Sequence, residues 1–213
     1  MTAMLMDPGT MTHNAQPARP GSGFLLVVTG PSGAGKGTLV DQLLKARPDC
    51  VFSVSATTRP RRSTEVDGRE YLFLSQAEFL EREAQGWFLE TAEVHGHLYG
   101  TPVEPVDARV REGGVVVLDV DVQGGASVRR VRPDAVTVFV YPPSLDSLRA
   151  RLQARGTDSP DVIEQRLRSA PGEISQWVYY DYVVMNDDLE RAERELLAIH
   201  DAEHVRAHRH RVS

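Results

Sequence analysis

Three continuous apolar runs, each about as long as a strand, dominate the hydrophobic pattern of this chain. They lie at residues 24–29, 115–119 and 137–141. A strand covered on both faces gives such a run, whereas a strand with one solvated face alternates apolar and polar positions. We therefore predict that these runs are buried strands of a parallel sheet.

Segments with helical spacing alternate with the strands. Leu39, Leu43 and Leu44 give residues 38–46 a helical period, and Ser144 is placed to cap a helix over residues 144–155. Further helices are predicted over residues 76–85, 104–112 and 189–200 and from residue 160, and further strands over residues 51–55, 71–74, 87–94 and 182–185. This alternation predicts an α/β fold with a five-stranded parallel core sheet flanked by helices.

Three regions depart from the alternation. Short strands between residues 55 and 101 predict a partly antiparallel subdomain inserted into the sheet domain. Residues 1–22 are rich in Met, Pro, Gly, Thr and Ala without a period, which predicts a disordered leader. Residues 203–213 are polar and histidine-rich, and we predict a frayed, solvated extension of the last helix.

Histidines recur at four-residue spacing near the end of the chain, at His200, His204 and His208. Two histidines at that spacing on a helix can bind zinc. Because the pattern offers neither a carboxylate partner nor a buried context, we interpret these histidines as part of the solvated tail.

Composition and charge exclude several classes of protein. The net charge is −6 with no large basic stretch, so we do not expect a nucleic-acid partner. No apolar run approaches the roughly 20 residues that span a bilayer, and the N-terminus lacks the pattern of a signal peptide, so we expect a cytoplasmic protein. Cys50 is the single cysteine, which excludes an intramolecular disulfide and a cysteine metal cluster.

A glycine-rich segment lies between the first predicted strand and the first predicted helix. It runs Gly30, Pro31, Ser32, Gly33, Ala34, Gly35, Lys36, Gly37, Thr38. The pattern G-x-x-x-x-G-K in this context predicts a loop that surrounds the phosphates of a nucleoside triphosphate with backbone N–H groups. We expect Lys36 to neutralise charge on the transferred phosphoryl group.

The metal ligand of this loop is unusual. Gly37 stands where the motif usually has Ser or Thr to bind Mg²⁺, and Thr38 comes one position late. Adenylate kinases share this Gly-Lys-Gly-Thr form. We therefore expect phosphates, waters and an acidic side chain to hold Mg²⁺, with Asp119 as the candidate at the end of a buried strand.

A collinear series of short motifs follows the loop. Its members are Ser55-Ala-Thr57-Thr58-Arg59, Phe88-Leu-Glu90, Tyr99-Gly-Thr101, Leu118-Asp-Val-Asp121-Val-Gln-Gly124, Arg151-Leu-x-x-Arg155 and Val184-Met-Asn186-Asp187-Asp188. The series resembles the guanylate kinase family over roughly residues 23–200. The resemblance implies a domain over residues 23–202, with a GMP-binding insertion at about 55–104 and a helical lid at about 144–172.

The resemblance also implies roles for individual residues. The GMP phosphate would be bound by Arg59, Arg62, Tyr71 and Tyr99. Guanine would be bound by Ser55, Glu90, Thr101 and Asp121. The triphosphate would be covered by the lid arginines Arg151, Arg155 and Arg166, with Asn186 beside the ATP site. The implied catalytic set is Lys36, Arg59, Arg151, Arg155 and Arg166.

The chemistry of guanine supports two of these assignments independently. Guanine presents N1–H and a 2-amino group along one edge, and the carboxylates of Glu90 and Asp121 can accept both hydrogens. Adenine has a bare N1 acceptor there, and sites of this kind reject such analogues by factors of order 10⁴. We expect Asp119 and Asp121, two apart on a strand, to share one face, and Arg151 and Arg155 to share one face of a helix.

The arginine-rich segment departs from the family pattern. Pro60 stands one place earlier than usual and Thr64 replaces a glycine. Arg62 keeps the expected distance along the chain from Arg59, and Arg61 is an alternative ligand for the phosphate.

The resemblance implies transfer of the γ-phosphoryl group of ATP to GMP and dGMP with Mg²⁺, in purine nucleotide metabolism. Two alternatives stay open at this point: a kinase acting on a phosphorylated sugar, and a binding module that docks phosphorylated proteins without catalysis. Glu90 and Asp121 disfavour the first alternative, and the intact Gly35-Lys36 pair disfavours the second.

Overall fold

The computed structural model describes residues 23–94, 96–156 and 158–209. The predicted leader over residues 1–22 and the last four residues of the predicted tail lie outside these ranges. Among the described residues the strands are, in chain order, β1 (Phe24–Thr29), β2 (Cys50–Phe52), β3 (Ala56–Thr57), β4 (Leu72–Phe73), β5 (Phe88–Val94), β6 (His97–Pro102), β7 (Val115–Asp119), β8 (Val136–Tyr141) and β9 (Tyr182–Met185).

The helices surround these strands. They are α1 (Lys36–Ala46), α2 (Gln76–Ala84), α3 (Val103–Arg111), α4 (Val122–Val131), α5 (Leu145–Arg155), α6 (Pro160–Ile174) and α7 (Leu189–His204), with 3₁₀ turns at Ser175–Tyr179 and Ala207–Arg209. In the part of the chain that is described, no helix is both long enough and apolar enough to cross a bilayer.

The core sheet has the strand order β2-β7-β1-β8-β9, and every neighbouring pair is parallel. A second sheet, β4-β3-β6-β5, mixes one parallel pair with two antiparallel pairs. The predicted five-stranded parallel core and the predicted partly antiparallel insertion are both confirmed.

The continuous apolar run of β1 is explained by two cores, one on each face of the sheet. Leu26 and Val28 pack with α1 and α7 in one core, while Leu25 and Val27 pack with α3 and α4 in the other. Because successive residues of a strand point to opposite faces, both sets of positions must be apolar.

Local capping signals position several helices. Ser144 accepts a hydrogen bond from the backbone N–H of Ser147 at 3.1 Å, so the predicted cap of α5 is confirmed. Ser159 caps α6 in the same way, with Pro160 in the first turn.

The predicted solvated tail is wrong at three of the described residues that follow position 199, whereas Asp201, Val205 and Arg206 are exposed as predicted. The side chain of His200 is buried, and so are those of Glu203 and Arg209. Glu203 accepts hydrogen bonds from Tyr182 Oη at 2.5 Å and Arg209 Nη2 at 2.9 Å. Helix α7 therefore continues to His204 because its last turn is paired and covered.

Candidate active site

The predicted phosphate loop connects the end of β1 to the start of α1. Gly30 and Gly35 have φ angles of +147° and +93°, a region that favours glycine. A Cβ at Gly30 would lie 2.4 Å from the carbonyl oxygen of Val140, and one at Gly35 would lie 2.3 Å from Nδ2 of Asn186. The backbone of β8 and the side chain of Asn186 therefore leave room only for glycine at these two turns of the loop.

Gly35 and Gly37 provide a first prediction, because they differ in the space around them. Gly35→Ala should destabilise the protein by about 2 kcal/mol or more, since it combines an unfavourable φ with a contact on Asn186. Gly37→Ala should be neutral or slightly stabilising, because its Cβ would meet only Asp119 Oδ2, at an ordinary 3.6 Å, within the first turn of α1. Urea unfolding of both variants checks this difference, and equal stabilities would contradict it.

Lys36 is held inside the loop that it follows. Its Nζ donates to the carbonyl oxygens of Gly30 at 2.7 Å and Pro31 at 3.3 Å. Burial lowers the pKa of Lys36, and the charges of Asp119 and Asp121 oppose that shift. The ammonium group is thus fixed by backbone oxygens at the wall of the cleft, where a phosphate would be a stronger partner.

A cleft of about 1030 Å³ opens above the loop. It brings together most of the residues predicted for the ATP site: Gly30, Ser32, Gly33, Gly35, Lys36, Gly37, Thr38, Asp119, Arg151, Arg155, Arg166 and Asn186. Pro31 and Ala34 also belong to the loop but do not line the cleft, because both are buried. The lining residues Glu173 and Leu189 belong to no motif and were not predicted, and Asp187 belongs to the last motif of the series but was given no role.

The carbonyl oxygen of Ala34 ties the loop to the far side of the cleft. It accepts hydrogen bonds from Asn186 Nδ2 at 2.7 Å and Arg151 Nη1 at 3.1 Å, and Arg151 Nη2 also donates to the carbonyl oxygen of Asn186 at 2.7 Å. Arg166 reaches the loop from α6 and donates to Ser32 Oγ at 2.5 Å. Three cations from α5 and α6 therefore face the loop, with Arg151 and Arg155 on one face of α5.

The acidic side of the cleft differs in one respect from the sequence prediction. Strand β7 ends at Asp119, whereas Asp121 is the N-cap of α4 and accepts from the N–H of Gly124 at 2.7 Å. The expectation that the two aspartates share a strand is wrong, although both line the cleft. Burial raises the pKa of Asp119, and the charge of Lys36 opposes this effect.

This side of the cleft has the donor chemistry that a Mg²⁺ ion requires. The carboxylates of Asp119 and Asp121 and the hydroxyl of Thr38 offer hard oxygen ligands beside the phosphate loop. Mg²⁺ usually takes one or two carboxylates together with substrate phosphates and waters. The residues present therefore fit the ion.

The two predicted guanine carboxylates approach one another at the start of α4. Glu90 Oε2 and Asp121 Oδ1 lie 3.5 and 3.4 Å from the position of a Cβ on Gly124. Thr101 Oγ1 donates to Glu90 Oε1 at 2.6 Å. Burial raises the pKa of Glu90, a hydrogen bond from Thr101 opposes this, and the charge of Asp121 adds to it.

The predicted ligands of the GMP phosphate gather on the second sheet. The Arg59 guanidinium lies 5.5 Å from the centre of the Tyr71 ring, and the rings of Tyr71 and Tyr99 meet edge to face at 5.9 Å. Glu65 pairs with Arg59 at 2.7 Å and also accepts from the backbone N–H of Arg62. The role of Glu65 was not predicted, although it lies only six positions from Arg59.

Among the described residues, the strands of the second sheet contribute nothing to the lining of the cleft. Ser55, Arg59, Arg62, Tyr71 and Tyr99 do not line the cleft, and Arg62 is exposed. Asp121 lines the cleft and is also close to Glu90, so it is the point where the two regions meet.

Comparisons with known proteins identify the family of this chain. The family model described as Guanylate kinase matches residues 22–203. A guanylate kinase from Symbiobacterium thermophilum is 53% identical over 184 residues, 86% of this chain and 87% of that protein. One from Myxococcus xanthus is 47% identical over 192 residues, 90% of this chain and 92% of that protein. The crystal structure of guanylate kinase from Anaplasma phagocytophilum matches with a TM-score of 0.68 at 34% identity, covering 88% of this chain and 89% of that chain. The resemblance seen in the motifs is therefore confirmed, and the chain belongs to the guanylate kinase family.

Proposed function

We propose that this protein transfers the γ-phosphoryl group of ATP to GMP, and also to dGMP, giving ADP and the guanine nucleoside diphosphate. The observation that carries the proposal is the position of Asp121. It lines the cleft of the phosphate loop and lies beside Glu90, so a guanine bound at the two carboxylates would be held next to the triphosphate.

The donor site is assigned to the phosphate loop and the arginines that face it. Backbone N–H groups of residues 30–38 would bind the ATP phosphates, with Asn186 fixing the loop through Ala34. Lys36 would exchange its carbonyl partners for a phosphate oxygen. Arg151, Arg155 and Arg166 would neutralise charge on the transferred group as α5 and α6, the proposed lid, close over it.

The acceptor site is assigned to the second sheet. Arg59, Arg62, Tyr71 and Tyr99 would bind the phosphate of GMP, with Arg59 released from Glu65 as it does so. Glu90 and Asp121 would accept the guanine N1–H and 2-amino hydrogens, with Thr101 orienting Glu90. Ser55 is assigned to the same guanine site. These contacts would bring a GMP phosphate oxygen towards the γ-phosphorus.

The reaction needs no covalent intermediate with the protein. A phosphate oxygen of GMP forms a bond to the γ-phosphorus while the bond from that phosphorus to the β–γ bridging oxygen breaks, and ADP leaves with the bridging oxygen. Mg²⁺, when bound with ATP, neutralises charge on the β- and γ-phosphates, and Asp119 would hold it, directly or through water.

A cytoplasmic location and the absence of a nucleic-acid partner are part of the same proposal.

A panel of acceptors tests the proposal. ATP consumption should be rapid with GMP and with dGMP, and lower by a factor of order 10³ or more with AMP, CMP, UMP or a phosphorylated sugar. A coupled assay for ADP formation measures all of these rates on one enzyme preparation. Turnover with a phosphorylated sugar but not with GMP would refute the assignment, as would tight binding of GMP without any turnover.

A further inference from the structure

A cluster of two histidines and an aspartate lies far along β1 from the active site. His200 and His204 are four residues apart on α7, and Asp49 belongs to the turn between α1 and β2. Phe24, the first residue of β1, contacts both imidazoles, at 6.1 and 5.2 Å between ring centres. The phosphate loop leaves the other end of β1, so the cluster and the cleft lie at opposite ends of this strand.

Three potential ligand atoms converge in this cluster. Asp49 Oδ2 lies 2.7 Å from Nε2 of His204 and 3.1 Å from Nε2 of His200, and the two Nε2 atoms are 3.2 Å apart. Ligands of a tetrahedral zinc ion, bound at about 2.0–2.1 Å, are about 3.3 Å from each other. The three atoms therefore already form a triangle close in size to one face of such a tetrahedron.

The hydrogen bonds of His200 explain why this triangle needs a cation. Its Nδ1 lies 3.0 Å from Asp201 Oδ1, and Arg47 fixes Asp201 through two hydrogen bonds of 2.9 and 2.7 Å. In a neutral imidazole with its proton on Nδ1, the lone pair of Nε2 would point at the carboxylate of Asp49. Two lone pairs 3.1 Å apart repel each other, so in this tautomer a second proton or a metal ion would lie between them.

Asp49 presents a single carboxylate oxygen to both histidines, because Oδ2 lies 3.1 Å from His200 Nε2 and 2.7 Å from His204 Nε2. A metal-binding histidine usually donates the N–H of its other ring nitrogen to a carboxylate. Asp201 takes that place for His200.

We propose that Asp49, His200 and His204 form a binding site for a divalent transition metal ion of the zinc class, outside the active site. Two imidazoles and one carboxylate are the ligands such ions prefer, whereas Mg²⁺ and Ca²⁺ favour oxygen ligands alone. The aspartate and the histidines are 151 and 155 positions apart, so the ion would fasten the C-terminal helix to the turn before β2. Its function is structural, since it joins two segments of the fold.

Metal binding and stability are the two measurements that test this site. The complete chain, stripped with a chelator and free of nucleotides, should bind one Zn²⁺ per molecule and should give the visible absorption of tetrahedral Co²⁺ when loaded with that ion. Zn²⁺ at about 100 times its dissociation constant should raise the melting temperature by about 5 °C or more. Absence of saturable Zn²⁺ binding would overturn the proposal.

Matched variants locate the ion. Asp49→Asn and His204→Gln should each weaken Zn²⁺ binding at least about 10-fold, whereas His97→Gln, which removes a histidine from β6, should leave it unchanged. These two ligands are chosen because His200 is almost completely buried and its replacement would also disturb packing. Turnover with ATP and GMP confirms that each variant is folded, since none of these residues belongs to the proposed active site.

A last variant separates the cluster from the remaining histidines of the C-terminus. The double change His208→Gln and His210→Gln should leave Zn²⁺ affinity unchanged. Loss of binding in this double variant, with wild-type binding in Asp49→Asn, would overturn the proposal and place the ion on the end of the chain. Wild-type binding in both Asp49→Asn and His204→Gln would overturn it equally, because the ion would then lie on other carboxylates.

Discussion

Lys36→Ala is expected to lower kcat by about 10³-fold or more while leaving the affinity for GMP nearly unchanged. The ammonium group is fixed beside the phosphate loop, and cations placed on the transferred phosphoryl group contribute 10³-fold or more in related reactions. GMP would bind through residues of the second sheet and the two carboxylates, none of which contacts Lys36 by hydrogen bond. Steady-state kinetics together with calorimetric titration of GMP separates the two effects.

The chain offers an internal control for this change. Lys45 is the other of only two lysines in the sequence, and it lies exposed in the last turn of α1, the helix that Lys36 begins. Lys45→Ala should retain full activity. Full activity of Lys36→Ala would instead show that the cleft is not the donor site. Loss of folding would show that the bonds from Nζ to Gly30 and Pro31 are mainly structural.

The parts of the fold that the sequence predicted correctly depend on residues close together along the chain. The apolar run of β1 reports burial on both faces, and Ser144 and Ser159 mark helix starts through bonds to backbone N–H groups three positions later. The phosphate loop is local in the same sense, since its glycines, lysine and flanking elements lie within 23 consecutive residues, 24–46. A short window of sequence is enough to identify such features.

The parts that the sequence did not predict depend on contacts between distant residues. Helix α4 contains Gly124 and Gly125, which lower its intrinsic helix propensity, but the structure leaves little room for larger residues there. A Cβ at Gly125 would lie 2.9 Å from Tyr180 Oη. Asp121 is the N-cap of this helix. Extending the pattern of strand β7 through Asp121 therefore predicts the wrong direction for its side chain.

The histidines of α7 show the same limitation more clearly. Their spacing was visible in the sequence, but the missing carboxylate partner was Asp49, on the other side of the fold. Nothing near Asp49 in the sequence marks it as a ligand. A constellation assembled from both ends of a chain becomes visible only when the fold places α7 beside the turn before β2.

Glu90→Gln is expected to lower kcat/KM for GMP by about 100-fold and to narrow the preference for GMP over AMP. In the wild type, the carboxylates of Glu90 and Asp121 together can accept both guanine hydrogens. The change replaces one of these carboxylates by an amide, and the NH₂ group of that amide would face a hydrogen-bond donor. Thr101 Oγ1 donates to the same side chain, so the amide would have to use its single oxygen for Thr101 or for guanine. Activity with AMP should change little, because adenine does not use this acceptor.

The pH dependence of kcat/KM distinguishes this role from a structural one. Burial raises the pKa of Glu90 above the ordinary glutamate value of 4.5, and kcat/KM reports ionisations of the free enzyme. As the pH falls through that raised pKa, the wild-type carboxylate is protonated and kcat/KM for GMP should fall. Glu90→Gln should lose this acidic limb, since the amide does not titrate.

Glu93→Gln is the matched control, because Glu93 lies on the same strand β5 and is exposed. It should retain both the wild-type rate and the wild-type pH profile. If Glu90→Gln kept its discrimination between GMP and AMP, Asp121 alone would have to recognise guanine. If it lost activity equally with GMP and AMP, the role of Glu90 would be to support the second sheet. If the Glu90 carboxylate recognises the guanine edge, its replacement should cause a selective loss of activity with GMP together with loss of the acidic limb.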